Sequence, residues 1–300
     1  MTPETTATSR FGDRLLGTFA TAGQLCVGID PHEYLLDSWG LDKSAQGARE
    51  FGLRVVEAAA GVVGIVKPQV AFFELFGSVG FRALEDVMAA AREAGLLIIA
   101  DAKRGDIGSS VEAYGRAWLT PGSPLEADAL TLASYMGTGS LASVFAMAEA
   151  HGKGAFVLAA TSNPEALAVQ TAQVPGSAST AQTVAGLIAT EVNEWNSGNI
   201  SAIRGPSSGT LGNIGLVLGA TKNLQEFGLD PRLLAAVPSL PILAPGFGHQ
   251  GAVFADIHRV YGELTAGTVV SVSRSVLGAG PDGIHESVRR QAGELAEALA

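Results

Sequence analysis

Short apolar runs alternate along this chain with longer stretches in which apolar positions recur every three or four residues. The runs Gln24–Asp30, Val62–Val66, Leu96–Lys103, Ala127–Leu132, Ala155–Ala160, Ile214–Leu218, Leu240–Ala244 and Thr268–Val272 have strand length and predict eight strands. Helical spacing between them predicts helices over Ala45–Ala60, Phe81–Ala94, Val111–Leu119, Leu141–Ala150 and Thr180–Asn196. Further helices are predicted over Asn223–Val237, broken at Pro231, over Val253–Tyr261 and over Ile284–Leu299. Phe11, Leu15, Leu16 and Phe19 mark one more, a short amphipathic helix before the first strand.

Strict alternation of strand and helix predicts a parallel sheet, and eight units predict its closure into an α/β (β/α)8 barrel, the TIM barrel. Continuously apolar runs such as Leu96–Ile99 fit strands whose outer face is covered by helices. Residues 1–300 read as one barrel domain with a short N-terminal extension, about 1–23. Polar, Gly/Ser-rich stretches near 165–179 and 197–212 read as insertions around the fifth helix, not as a second domain.

Composition narrows the functional classes. Hydrophobic residues make up 47% and charged residues 16%, which suits a well-buried α/β core. A net charge of −10 argues against a general binder of nucleic acid or anionic membranes. A phosphorylated substrate remains compatible, because a few local donors hold a phosphate against an acidic background. Cys26 is the only cysteine, so no internal disulfide and no cysteine metal cluster is expected; its place in Leu25-Cys26-Val27 reads as core. No apolar stretch reaches the roughly 18 residues of a membrane span, and the polar, Thr-rich residues 1–9 are unlike a signal peptide. The expectation is a soluble, cytoplasmic protein.

Candidate chemistry concentrates where the third run ends, Ile99-Ala100-Asp101-Ala102-Lys103-Arg104-Gly105-Asp106-Ile107. Alternation puts Leu97, Ile99, Asp101 and Lys103 on one face, so core gives way to a carboxylate and an ammonium side by side. Charges at a buried strand end need partners. The pattern reads either as a structural ion pair or as a lysine held protonated between Asp101 and Asp106, a proton donor.

In a barrel the strand C-terminal ends form the active face. There the other strands offer Asp30, Lys67, Ser162, Asn163, Gly246, Gln250 and Arg274. Gly246-Phe247-Gly248-His249-Gln250-Gly251 matches G-x-G-x-x-G, but too little chain follows for a dinucleotide-binding half. It reads better as a glycine loop whose backbone approaches a phosphate, with Arg274 adding a charged contact. The five histidines show no metal-ligand spacing, and His249 reads as a loop residue rather than a catalyst.

The Asp-x-Lys-x-x-Asp motif of Asp101, Lys103 and Asp106, followed by Ile107-Gly108, resembles that of the orotidine 5′-phosphate decarboxylases. The segments Thr161-Ser162-Asn163-Pro164 and Gly219-Ala220-Thr221 are similar to the longer bacterial branch, type 2, of that family. The resemblance implies decarboxylation of orotidine 5′-monophosphate to uridine 5′-monophosphate, with Lys103 as proton donor and Asp101, Asp106 and Lys67 as its charge network. It implies that Asp30 holds the ribose, that Ser162 (or Thr161 or Asn163) touches the pyrimidine, and that Gly246, Gln250 and Arg274 surround the phosphate. Asp106, with Ile107 and Ser110, matches positions that enter a neighbouring subunit's site, so a homodimer with shared active sites is implied, in which Asp101 and Lys103 of one chain face Asp106 of the other. No metal, nicotinamide or flavin cofactor and no nucleic-acid or membrane partner is implied. Two other readings stay open. One is a Mg²⁺-dependent sugar-phosphate decarboxylase of the same superfamily, which predicts a metal-binding acid after the second strand; the other is a non-catalytic nucleotide-binding barrel.

Overall fold

The computed structural model describes residues 9–175, 182–203, 210–236 and 239–300, without the side chains of 199–203. Eight of the apolar runs become the strands β1 (Leu25–Ile29), β2 (Ile65–Pro68), β3 (Leu97–Arg104), β4 (Ala129–Leu132), β5 (Gly154–Ala160), β6 (Ile214–Leu218), β7 (Ile242–Pro245) and β8 (Thr268–Val272). They pair in parallel in chain order, and β1 pairs with both β2 and β8, closing the barrel. Alternation then splits their side chains between two environments. Cys26, Ile65, Ile99, Ala129, Phe156, Val217, Leu243 and Val269 fill the interior. Their sequence neighbours, among them Val27, Val66, Ile98, Leu130, Val157 and Val270, pack outward against the helices.

The helix predicted before β1, α1 (Phe11–Ala22), plugs the end of the barrel where the strands begin. Phe11 meets Phe156 edge to face at 6.0 Å, and a Cβ at residue 154 would sit 2.3 Å from the Phe11 ring, so Gly154 makes the plug possible. The Gly12 N–H donates to Asn213 Oδ1 at 2.9 Å, and Arg14 donates to Asp128 at 2.6 Å and to the Gly152 carbonyl at 2.9 Å. With that end closed, the barrel opens only where the strands finish.

Several boundaries differ from the expectation for local reasons. β2 begins three residues late, because the Val62 and Val63 N–H groups both donate to the Ala59 carbonyl at 3.0 Å and complete the helix end instead. Lys67 therefore lies within the strand. The helix after β3 starts at Gly108, which places Ser110 in its first turn. The segment expected as a broken helix forms a single 3₁₀ turn, Leu224–Phe227, and a short helix begun by Pro231; Val237 lies outside the described residues. Short helices at Glu33–Ser38, Ala71–Glu74, Leu167–Gln170 and Arg274–Leu277 lie in stretches read as loops. Gln173–Val174 of the first insertion pairs antiparallel with Gln182–Thr183, residues expected as helix; that helix begins at Val184. Residues 176–179 and 204–209 of the expected insertions, 180–181 of the expected helix over 180–196, and 1–8 of the expected extension lie outside the described residues.

Candidate active site

A cavity of about 680 Å³ opens at the C-terminal ends of the strands. Its walls include Asp30 from β1's end, Lys67 and Gln69 from β2's, Asp101 and Lys103 from β3, Thr131 from β4 and Ser162 beyond β5. Gly246, His249 and Gln250 after β7 and Ser273 and Arg274 after β8 complete the ring.

The local backbone around Lys103 departs from ordinary strand geometry. Ala100 pairs with Leu130, but the next partners are Arg104 and Leu132, so Asp101, Ala102 and Lys103 together face Thr131. A bulge of this kind re-aims side chains at a strand end. Lys103 has φ +49°, the only positive φ outside glycine among the described residues. Such backbone strain is found at sites where the surroundings over-determine the conformation. Here they do: the Lys103 N–H donates to Thr131 Oγ1 at 2.9 Å, and Lys103 Nζ donates to Asp101 Oδ1 at 2.6 Å.

Asp101 is the hub of the array. Its Oδ2 accepts from Lys67 Nζ at 2.8 Å and Gln69 Nε2 at 3.0 Å, and its Oδ1 also accepts from Thr131 Oγ1 at 3.0 Å. Burial alone would raise this carboxyl's pKa, but Lys67 first and Lys103 next more than reverse that and hold it well below the usual range. Burial likewise pulls the Lys67 ammonium down, and Asp101 and Asp30 outweigh it, so Lys67 stays charged well above its ordinary pKa. Lys67, Lys103 and Arg274 against Asp30 and Asp101 leave the cavity with an excess of one positive charge, suited to an anionic ligand. Beneath it, Cys26 is buried and its thiol is pushed up to about 12, chiefly by burial, so it remains a neutral core residue.

Within one chain, Asp106 is not the second carboxylate beside Lys103. Instead Asp101 lies between two lysines, and Asp106 turns back to accept from the Ile107 N–H at 2.8 Å. Gly105 packs against the Ala133 carbonyl so tightly that a Cβ would sit 2.2 Å from its oxygen, and the chain leaves the mouth there. Asp106, Ile107 and Ser110 therefore do not line this cavity, and Ile107 is 60% exposed.

Where β1 and β8 end side by side, Ser273 donates to Asp30 Oδ2 at 2.5 Å. Asp30 Oδ1 is buried with no hydrogen-bond partner among the described residues. After β5, Thr161 and Asn163 engage each other at 2.8 Å, and Gln170 grips Thr161 through both its amide atoms. The Ser162 hydroxyl makes no hydrogen bond among the described residues. Gly246 has φ +116°, and a side chain there would approach Gln250 Oε1 at 3.4 Å, so the glycine loop folds its own glutamine against its backbone.

Sequence reasoning missed Thr131, Gln69, Ser273 and Gln170. Thr131 stood out as the one polar residue in an apolar strand, and Gln69 as the neighbour of Lys67-Pro68. Gln170 carried no local signal.

Residues 23–286 match the sequence model of the orotidine 5′-phosphate decarboxylase / HUMPS family. An orotidine 5′-phosphate decarboxylase of Corynebacterium efficiens is 47% identical over 277 residues, 92% of each chain. That of Salinispora arenicola is 48% identical over 272 residues, 91% of each. A crystal structure from Streptomyces avermitilis superposes with a TM-score of 0.86 at 41% identity, covering 97% of this chain and 96% of that one. The chain is a member of the orotidine 5′-phosphate decarboxylase / HUMPS family. Within that family it is an enzyme of the decarboxylase type, a carboxy-lyase.

Proposed function

We propose that the chain decarboxylates orotidine 5′-monophosphate to uridine 5′-monophosphate, for pyrimidine biosynthesis, with Lys103 as proton donor. The observation that carries the assignment of roles is the Lys67–Asp101–Lys103 array, buried at one end and open to the cavity at the other. Breaking the bond between C6 and the carboxylate releases carbon dioxide and leaves the electron pair on a ring carbon with no conjugated sink. A preorganised ammonium stabilises that charge as it develops and then delivers its proton to C6. Water afterwards returns a proton to Lys103. Asp101 crowds the departing carboxylate and, with Lys67, fixes the ammonium's direction.

Binding is shared around the ring. Asp30, on the cavity wall at the end of β1, accepts from a ribose hydroxyl. Ser162 contacts the pyrimidine, because Thr161 and Asn163 are already committed to each other and to Gln170. Gly246 and Gln250 in the glycine loop and Arg274 at the start of a helix hold the phosphate. Phosphate binding remote from C6 helps order the reacting end.

The active form in this reading is a cytoplasmic homodimer. Leu75, Val79, Ile107, Tyr135 and Met136 are exposed on the segments after β2, β3 and β4, an apolar surface that fits a second copy. Across it, Asp106, Ile107 and Ser110 complete the partner's site.

The Mg²⁺-dependent reading needs an acid after β2; there Lys67-Pro68-Gln69 stands, with Lys67 and Gln69 both spent on Asp101. Following the ultraviolet absorbance of orotidine 5′-monophosphate with and without a chelator tests the assignment. Equal turnover in both is expected, and no absorbance change, or its loss on chelation, defeats it.

A further inference from the structure

We infer that Thr131 is a positioning residue for the reaction: its hydroxyl holds the backbone of Lys103 and the carboxylate of Asp101 in one register, and thereby aims the proton-donating ammonium. The inference rests on the reading of Lys103 as proton donor.

The reason lies in the bulge. Where Asp101, Ala102 and Lys103 face one residue of β4, the parallel ladder has no main-chain acceptor at the right place for the Lys103 N–H. A buried N–H without a partner is costly, and Thr131 Oγ1 supplies the acceptor at 2.9 Å. The same oxygen donates its own proton to Asp101 Oδ1 at 3.0 Å, the oxygen that Lys103 Nζ also grips at 2.6 Å. Backbone N–H, hydroxyl, carboxylate and ammonium thus form a closed ring. The lysine's main chain and its ammonium are tied to the same two side chains.

That ring has a specific task. The φ of +49° at Lys103 is unfavourable for a side chain with a Cβ, so left alone the segment would relax toward an extended strand. An extended Lys103 would keep to Asp101's face by strand alternation but would lose its backbone bond to Thr131, and with it the fixed direction of its ammonium. Lys103 is also 45% exposed on its side chain, so little packing holds its tip. Thr131 is 1% exposed and sits on the neighbouring strand, which is paired on both sides and cannot move with the bulge. It is the fixed point against which the mobile donor is set. The sequence shows the oddity: Thr131 is the only polar residue of β4, in a strand otherwise apolar on both faces.

Thr131→Val keeps the shape and removes both hydrogen bonds, whereas Thr131→Ser keeps the hydroxyl. With Thr131→Val, kcat is expected to fall by about tenfold or more, a barrier increase of about 1.4 kcal/mol. The KM for orotidine 5′-monophosphate and the Kd of uridine 5′-monophosphate should each change by less than about threefold, because ground-state binding is carried elsewhere in the cavity. Thr131→Ser should recover most of the rate. In a Lys103→Ala background, Thr131→Val should cost nothing further, since there is no ammonium left to aim. Should Thr131→Val not fold, Thr131→Cys takes the same measurements with the same expected outcome.

Wild-type kcat in Thr131→Val overturns the inference. So does an equal loss in the valine and serine variants, or a valine effect that persists undiminished on the Lys103→Ala background. Full turnover in Lys103→Ala instead removes the proton-donor reading itself, and the inference with it. An inactive Lys103→Ala beside a fully active Thr131→Val removes the inference alone.

Discussion

Lys67 and Lys103 grip opposite oxygens of one carboxylate, with their Nζ atoms 2.8 Å from Asp101 Oδ2 and 2.6 Å from Asp101 Oδ1. The two ammoniums differ in exposure: the Lys67 side chain is 8% accessible and that of Lys103 is 45%. One lysine is therefore a buried counter-charge and the other a working group at the cavity wall.

This asymmetry sets the first prediction. Asp101→Asn leaves buried Lys67 without its hydrogen-bonded counter-charge, and at neutral pH it should cost about 3–5 kcal/mol of stability. The native carboxyl is held below its ordinary pKa, so its contribution is complete above the unfolded value, about 4. That contribution is lost as pH falls through the lower folded value. Wild-type stability should thus fall steeply on acidification below about pH 5, and the Asn variant should show a flatter acid limb. Denaturant unfolding at a series of pH values measures both, and parallel curves would contradict the ion-pair account.

The strained backbone at Lys103 gives a second. Lys103→Ala and Lys103→Gly should both fold, since Lys67 still neutralises Asp101, and both should lose nearly all turnover. Glycine accepts φ +49° without the Cβ penalty, so the Gly variant should be the more stable of the two by about 1 kcal/mol. Equal melting of the two variants would mean that the position relaxes.

Phosphate recognition is tested at Arg274. Its replacement by alanine should weaken uridine 5′-monophosphate binding by about 1.5–3 kcal/mol, the scale of a hydrogen bond to a charged group. Binding of uridine, which lacks the phosphate, should barely change. Calorimetric titration of both ligands separates the cases, and equal losses would place the arginine's role elsewhere.

Shared sites are tested by subunit exchange. Lys103→Ala and Asp106→Ala should each be inactive alone, yet mixing them should restore activity. The mixed dimer holds one site with both defects and one site with neither. Persistent inactivity after exchange has been verified by a mass-tagged subunit would rule out sharing across the dimer.

Much of this architecture was legible in the amino-acid order. Eight apolar runs separated by helical periodicity dictate strand–helix alternation, because each run can bury both faces only inside a helix-covered parallel sheet. Thr268–Val272 and Ile214–Leu218 were legible to the residue, since turn-forming or polar residues bound them. β2 was misplaced because Val62 and Val63 are as apolar as strand residues, and only their bonds to Ala59 commit them to the helix end. The charged end of β3 was visible too, because a carboxylate and an ammonium cannot end a buried strand without a use or a partner.

What the order of residues could not contain was which groups meet. Lys67 and Asp101 are 34 residues apart, and Ser273 and Asp30 are 243 apart. Their contacts exist only because barrel closure brings strand ends of fixed register around one opening. Reading Asp106 as the same-chain neighbour of Lys103 counted the nearest charges along the chain. The register break opposite Thr131 and the close packing of Gly105 on Ala133 instead turn Asp106 away and bring Lys67 in. The apolar and polar pattern determined the barrel and which end of it carries chemistry. Only the tertiary structure decided that Asp101 is the shared anchor of two lysines, because Coulomb partners are chosen by distance through space and not by separation along the chain.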